Sequence, residues 1–464
     1  MTFKKIARNS GFLALASFVI AGCDGLLDVE PTEQVGPDVA TGSVAGVEAL
    51  LAGVYNRMQH GDKYGSHIVI VPDVLADNAR TADPPSSFQA EFRNAIGAHL
   101  GDWSTRYQTI NEANFVIASA EALDAPTSIT NRIKGEALFL RALNYFDLAR
   151  IFAYEPGREV NGWDVGVVLR TTPTRTAEDA TFRPRASVLE TYTQIESDLQ
   201  EAISLLSEAG RDNVFFATLG AAEALLARVY LYWERWDDAV VHATRAMANT
   251  SARLASPGEV AGMFEAAPNP ESLFEINYDP ATESLWVNIC QACYTHPNGT
   301  WFSIWPPAEL LALLQPEDAR WSWYPQTADG IHYNNKWTES RGPNTDNTPV
   351  LRYAEILLIR AEAYAESGRE NLALGDLSTL RASRGLGPIQ ASGPALIEAI
   401  LDERRRELAF EGHRWFDLKR RGMDITKPAH GGNPTVLYTD FRILAPLPSV
   451  HVQNNPELVQ NPGY

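Results

Sequence analysis

Positive charge is scarce in this chain of 464 residues. Its 39 Lys and Arg stand against 58 Asp and Glu, a formal net charge of −19. A surface that neutralises phosphates needs the opposite balance, which excludes nucleic acid as the natural partner. The same balance disfavours lying flat on an anionic membrane. Cysteine is scarcer still, with only three residues. Catalytic signatures are missing: there is no H-E-x-x-H, no G-x-S-x-G and no phosphate-binding Gly-Lys loop. Among 58 acids a glycosidase pair is defined by spatial separation alone, and nothing in the sequence singles one out. Long apolar runs are also lacking, since no stretch reaches the roughly 20 residues that span a bilayer as a helix. What remains is the composition of a globular protein with a sizeable core, 45% hydrophobic and 21% charged. Its length suits about three average domains or one large one.

The first 22 residues have the organisation of an export signal. Lys4, Lys5 and Arg8 precede a short apolar segment from Gly11 to Ile20. The segment ends in Ile20-Ala21-Gly22-Cys23, which resembles a bacterial lipobox. Small residues there precede a cysteine whose thiol receives a diacylglycerol, so Cys23 is the expected lipidation site. The alternative is an ordinary signal followed by a chance cysteine. Several acyl chains on Cys23 would give durable attachment where one chain binds only marginally. Cleavage removes three positive charges and no acid, leaving the mature chain more acidic. Cys290 and Cys293 then remain as a lone C-x-x-C, read as a small disulfide loop in an exported protein. A zinc site falls short of four ligands even with His296. No metal or cofactor is expected.

From about residue 42 onward, apolar residues recur at helical spacing. The pattern predicts helices over Val44–Gln59, Trp103–Leu123, Asn131–Ala153, Ala186–Leu206, Ala221–Trp233, Asp237–Asn249, Leu351–Ser367, Asn371–Arg384 and Pro394–Arg421. Three of them share a string: Gly135-Glu136-Ala137-Leu138-Phe139-Leu140-Arg141, Ala222-Glu223-Ala224-Leu225-Leu226-Ala227-Arg228 and Ala354-Glu355-Ile356-Leu357-Leu358-Ile359-Arg360. Tyr145, Tyr230 and Tyr364 follow them. The small first residue permits close helix approach, the apolar pair packs inward, and Glu and Arg meet polar neighbours. Pairs such as 222–249 and 351–384 read as tetratricopeptide-type hairpins, each burying its face against the next. The spacings of 87 and 132 residues are unequal, so insertions split the array. One insertion, about 154–185, is rich in Gly, Pro and Thr, with a strand-like Val165–Leu169. The other, about 251–349, is crowded with Pro, Asn and Trp, and long irregular stretches of this kind are usually functional.

Glu403 to Gly422, ERRRELAFEGHRWFDLKRRG, is the most distinctive segment. Leu408, Phe410, Trp415, Phe416 and Leu418 form an apolar stripe. Glu403, Arg404, Glu407, Glu411 and Arg414 sit at pair spacings, and Gly412 marks a break or close approach. On residues alone this is a salt-bridged helix locking a scaffold. The string nevertheless resembles the signature of the SusD/RagB family of surface nutrient-binding lipoproteins. So do Phe139–Arg150, Ala354–Tyr364 and the proline-rich close from Leu444 to Tyr464, and with the lipobox the resemblance covers nearly all of the mature chain. It implies a mainly α fold, with a helical-hairpin scaffold (about 42–250 and 350–425) carrying an irregular, loop-rich ligand lobe (about 251–349). An irregular tail (about 426–464) would complete a single SusD-like unit over 23–464. It further implies a lipoprotein seated as a lid on a SusC-type TonB-dependent outer-membrane transporter, capturing oligosaccharides or, in some members, peptides. A scaffold that binds only protein is a third reading, and an enzyme is last.

The ligand chemistry is expected in the lobe. Six of the eleven tryptophans lie between Trp286 and Trp337, namely Trp286, Trp301, Trp305, Trp321, Trp323 and Trp337. Tyr294, Phe302, Tyr324 and Tyr333 accompany them. An exposed ring removes the apolar C–H face of a sugar from water, while neighbouring polar groups satisfy its hydroxyls. Candidates for that task are Asn288, Asn298, Asp329, Asn334, Asn335, Lys336 and Arg341. The competing reading makes most of these rings core filler, because large aromatics are mostly buried. A second candidate segment holds Asp77, Asn78 and Arg80, with Trp103 downstream. Family members often contribute such side chains from this region to the ligand surface, whereas turn and cap formation is the plain alternative.

Overall fold

The structure is a computed structural model that describes residues 41–82, 87–279, 281, 291–427 and 435–464. The signal segment, Cys23 and most of the tether after it lie outside the described residues, as do Trp286, Asn288 and Cys290. Eleven helices of seven or more residues are described. They are α1 Val44–Met58, α2 His67–Leu75, α3 Trp103–Ala122, α4 Thr127–Phe152, α5 Val188–Ala209, α6 Leu219–Tyr232, α7 Trp236–Ala248, α8 Tyr353–Glu366, α9 Glu370–Ser383, α10 Pro394–Leu408 and α11 Arg414–Arg420. Four short strands, β1 Arg80–Thr81, β2 Ser272–Ile276, β3 Ile304–Trp305 and β4 Thr348–Arg352, form two antiparallel pairs, β1 with β3 and β2 with β4. Among the described residues no helix is long and apolar enough to cross a membrane.

The repeated string explains how neighbouring helices join. Its arginines bridge to the adjacent helix: Arg141 of α4 to Asp198 of α5 at 2.8 and 2.6 Å, Arg228 of α6 to Glu355 of α8 at 2.6 Å, and Arg360 of α8 to Asp376 of α9 at 2.8 and 2.7 Å. Gly135 is required by proximity, since a Cβ there would lie 2.9 Å from Leu206 Cγ of α5. The hairpins α6–α7 and α8–α9 turn identically. The backbone N–H of Arg235 donates to the Tyr230 carbonyl, and that of Arg369 to the Tyr364 carbonyl. Each guanidinium lies over the ring of its own tyrosine, at 4.4 and 4.9 Å. Tyr230 and Tyr364 are thus turn markers, whereas Tyr145 lies within α4.

Three expectations change. Val165–Leu169 is not a strand; side chains hold it instead, with the Val168 N–H donating to Tyr107 Oη and the Arg170 N–H to Tyr145 Oη, at 2.8 and 2.7 Å. Leu351 and Arg352 do not begin α8 but end β4, whose partner β2 lies in the segment read as irregular. The helix expected over Pro394–Arg421 is two, because Phe410 (φ +64°) and Gly412 (φ +82°) interrupt it. A Cβ on Gly412 would sit 2.0 Å from the Ile68 carbonyl oxygen, so the break lets α2 pass against the backbone.

The charges of that segment are buried. Glu407, fully enclosed, accepts from Arg352 (2.8 Å), Arg384 (2.9 and 2.7 Å) and Arg320 (3.1 Å). Glu411 receives Arg352 at 2.9 Å and Lys336 at 2.6 Å, while Arg420 forks onto Glu362 of α8 at 2.6 and 2.8 Å. Burial alone would raise the Glu407 carboxyl, but the three guanidiniums hold it well below the usual range. Removing one member of a buried network strands the others. Glu407→Ala is therefore expected to cost about 3–5 kcal/mol in denaturant unfolding near neutral pH. Because the folded pKa is depressed, this contribution is complete above the ordinary value of 4.5 and is lost only as pH falls toward the folded one. The gap between wild type and variant should narrow only in strong acid.

Candidate functional site

The irregular lobe holds two populations of aromatic rings. Trp323 and Trp337 are both 0% exposed, with indole N–H groups donating to the carbonyls of Val260 (2.9 Å) and Phe410 (3.3 Å). Phe264 packs edge-on to both, and the Lys336 ammonium lies 4.3 Å over Trp323. Lys336 itself is enclosed and donates to the carbonyls of Glu407 and Ala409, besides Glu411. Tyr324 and Asn334 are buried as well. These side chains are the anchor of the lobe on the C-terminal segment, and as fully buried groups they do not reach a ligand surface. Trp321 is half-buried, tied by its indole N–H to the Gln315 carbonyl at 2.8 Å, and Tyr333 is half-buried with its ring edge-on to His296. Arg341 braces the loop through Asn347 Oδ1 at 2.6 Å.

The other population faces solvent. Trp301 is 52% exposed and stacks on half-buried Tyr294, with ring centroids 5.6 Å apart and planes 26° from parallel. Phe88 meets Tyr294 at 5.0 Å, and His67 meets Phe88 at 5.4 Å, extending a continuous row of rings. Burial raises the Tyr294 pKa, so its hydroxyl stays a neutral hydrogen-bonding group. Local structure builds the stack. The short helix Gln291–Thr295 supplies Tyr294, the chain turns back at Gly299, and the Trp301 and Ser303 N–H groups donate to the carbonyls of Cys293 and Tyr294. Gly299 is needed for this close return, since a Cβ there would meet the Ala292 carbonyl oxygen at 2.4 Å. Cys293 is disulfide-bonded. The β1–β3 register then sets Arg80 opposite Trp305, itself half-buried beside Phe302. Asn298 and Asp329 are exposed, and Asn335 is half-buried.

Of the second candidate segment, Arg80 lies on β1 opposite Trp305 of β3. Asn78 is buried, donating to Asp73 Oδ1 and accepting from Arg405, at 2.9 and 2.8 Å. Asp77 accepts both arms of Arg414, at 2.6 and 2.9 Å. Burial pushes the Asp77 carboxyl up, but Arg414 and Arg405 outweigh it and keep the group ionised. Both residues lock α2 to the C-terminal segment. Trp103 lies elsewhere, 4% exposed, against Tyr107 and Phe152. Phe88 and His67 escaped the sequence reading. The one available signal was an aromatic directly after the turn-forming run Asp83-Pro84-Pro85-Ser86-Ser87. Phe88 holds φ +60°, an uncommon backbone for a bulky residue and a recurrent mark of binding sites. Among the described residues no group of three His, Cys, Asp or Glu is placed to hold a metal.

The two populations predict opposite behaviour on truncation. Trp323→Ala should cost about 3–5 kcal/mol by opening a cavity, whereas Trp301→Ala should stay within about 0.5 kcal/mol of wild type, both read by denaturant unfolding.

Two family models match this chain: one described as "SusD family" over residues 316–464, the other as "Starch-binding associating with outer membrane" over residues 26–231. A SusD-like protein, P38, of Formosa agariphila is 25% identical across 100% of this chain and 99% of its own. A solved SusD superfamily protein of Bacteroides thetaiotaomicron superposes with a TM-score of 0.81 at 25% identity, covering 90% of this chain and 100% of that one. A laminarin-binding SusD-like protein superposes with a TM-score of 0.72 at 25% identity, covering 90% and 99%. With residues 26–231 and 316–464 matched and the fold shared almost end to end, the chain is a member of the SusD/RagB family.

Proposed function

We propose that this protein is a non-enzymatic glycan-binding lipoprotein of the outer membrane, which captures oligosaccharide at the cell surface and passes it to a SusC-type TonB-dependent transporter. The observation that carries the reading is the exposed Trp301 ring stacked on Tyr294. Trp301 presents a ring to water beside a second aromatic, and the C–H face of a sugar can cover such a ring. Its position on a turn closed by backbone hydrogen bonds and flanked by a disulfide-bonded cysteine preorganises the platform, so little ordering entropy is lost on binding. The starch-binding description of one matching family model and the laminarin-binding neighbour support a glucan-type ligand. Affinity should be on the order of μM to mM, as shallow polar ligands recover little net free energy.

Titration of a soluble form beginning after Cys23 against a panel of oligosaccharides and a mixed peptide pool tests this. One glycan class should give a saturable change in tryptophan fluorescence, and Trp301→Ala should weaken it at least about tenfold. A response to peptides alone would transfer the site to peptide capture, and silence toward both would leave a protein-binding scaffold. Attachment is tested separately: Cys23→Ala should move the protein from the detergent phase to the aqueous phase of a membrane extract, and unchanged partitioning would remove the lipid anchor from the reading.

A further inference from the structure

A cavity of about 200 Å3 opens where the strap between α4 and α5 meets the C-terminal tail, and none of the residues lining it belongs to the Trp301 platform. Trp103 and Tyr107 of α3 form its floor, their ring centroids 4.9 Å apart. Phe182, 56% exposed, stands as a wall. The polar lining includes Arg170 on the strap with His451, Asn454 and Asn455 on the tail, and among the described residues lining it none is acidic.

The cavity is held in shape by groups that do not fill it. Tyr107 Oη both accepts from and donates to the Val168 backbone, at 2.8 and 2.9 Å, pinning the strap over the helix. His451 Nε2 is 2.6 Å from Ser104 Oγ, which fixes the imidazole at the rim. The Arg170 guanidinium donates to the Thr181 carbonyl and so leans along the same wall as Phe182. Beyond it a second hollow of about 250 Å3 shares Arg170 and is lined also by Arg183, Glu178 and Asp179. Asp179 in that hollow already accepts the N–H groups of Arg175 and Thr176, at 2.9 and 3.0 Å.

We propose that this cavity is a second saccharide site that takes a uronic acid residue of a longer glycan. A uronate offers an apolar C–H face for Phe182, hydroxyls for Asn454 and His451, and one carboxylate for Arg170. The size suits a single sugar ring, below the ~300–1,000 Å3 of pockets for drug-sized ligands. The acid-free lining avoids the repulsion that the rest of this surface would impose on an anion. The proposal rests on the reading of the protein as a glycan binder, but not on the Trp301 platform.

The test is calorimetric titration of the mature full-length chain carrying Cys23→Ala, with and without Trp301→Ala. The probes are trimers of galacturonate, glucuronate and mannuronate, with the corresponding neutral trimers as controls. At least one uronate trimer should bind the Trp301→Ala chain, and adding Arg170→Gln or Phe182→Ala should weaken that binding about tenfold or more. Phe182 is largely exposed, so its loss leaves folding intact even where Arg170→Gln disturbs the strap. No uronate binding to the Trp301→Ala chain, binding indifferent to both wall variants, or equal binding of neutral trimers there would each overturn the proposal. Displacement of the uronate by an acidic tripeptide with equal affinity would overturn its saccharide class. Loss of neutral-trimer binding in the Trp301→Ala chain with uronate binding kept would support this site independently of the platform.

Discussion

Glu407 is the point to which the rest of this molecule is tied. Its carboxylate is shared by Arg352 at the end of β4, Arg384 at the end of α9 and Arg320 in the lobe, all fully enclosed. An isolated carboxylate at such depth would be several kcal/mol unfavourable, so it persists only because three cations and their own partners complete the shell. Glu271, Asp318, Glu403 and Glu411 serve that purpose, each bonded to one or more of the same arginines. Such a network adds little net stability over a hydrophobic plug of equal volume, yet it tolerates almost no rearrangement. Its effect is positional: the irregular lobe docks on the helices in one orientation.

That constraint answers a problem posed by the architecture. The hairpins repeat a Glu–Arg grammar that bridges each helix to the next, but the array is cut twice by long insertions, and a repeat scaffold stabilises only what its neighbours cover. The strap between α4 and α5 is stitched by the Tyr107 and Tyr145 hydroxyls, with Arg185 donating to the carbonyls of Gly166 and Phe152 at 2.7 and 2.8 Å. The lobe is held by Lys336, Trp323 and Trp337. In both insertions, side chains do the hydrogen bonding that a sheet or helix would do through its backbone. Regular structure is sparse there because it is not needed.

The same fact sets the limit of what the sequence could reveal. The longer helices announced themselves by period and by the repeated string, even α6, which is buried at every residue after Leu219, and their observed ends fall within a few residues of the expected ones. The helix α2, HIVIVPDVL, is only nine residues long, is buried after His67 and has Pro72 inside it, so it offers little helical signal. The β2–β4 pair escaped because each strand is only five residues long and fully buried, without polar alternation. For the lobe, aromatic density pointed to the right region but could not rank its members. Trp301 and Trp323 have the same side chain and similar loop surroundings. What separates them is Lys336, which arrives from later in the chain to cover one and not the other. Asp77, Asn78 and Lys336 were equally plausible as sugar ligands by type, and only the arginines and carbonyls of residues 405–414 reveal them as fasteners.

The division of labour also explains why the lobe can carry a binding surface at all. Loops that hold ligands usually trade order for reach. Here the exposed rings stand within a few residues of groups already committed to the core: Trp301 follows a disulfide-bonded Cys293, and β3 pairs with β1 immediately beyond the stack. For the proposed sugar site the charge network would act indirectly, by removing freedom that a loop-borne platform would otherwise lose on docking. A change at Trp301 alters an exposed ring and little else. A change at Glu407 leaves every ring in the sequence but releases the frame that sets where they face. The buried charges that carry stability and the exposed rings of the proposed site are thus different residues of the same lobe.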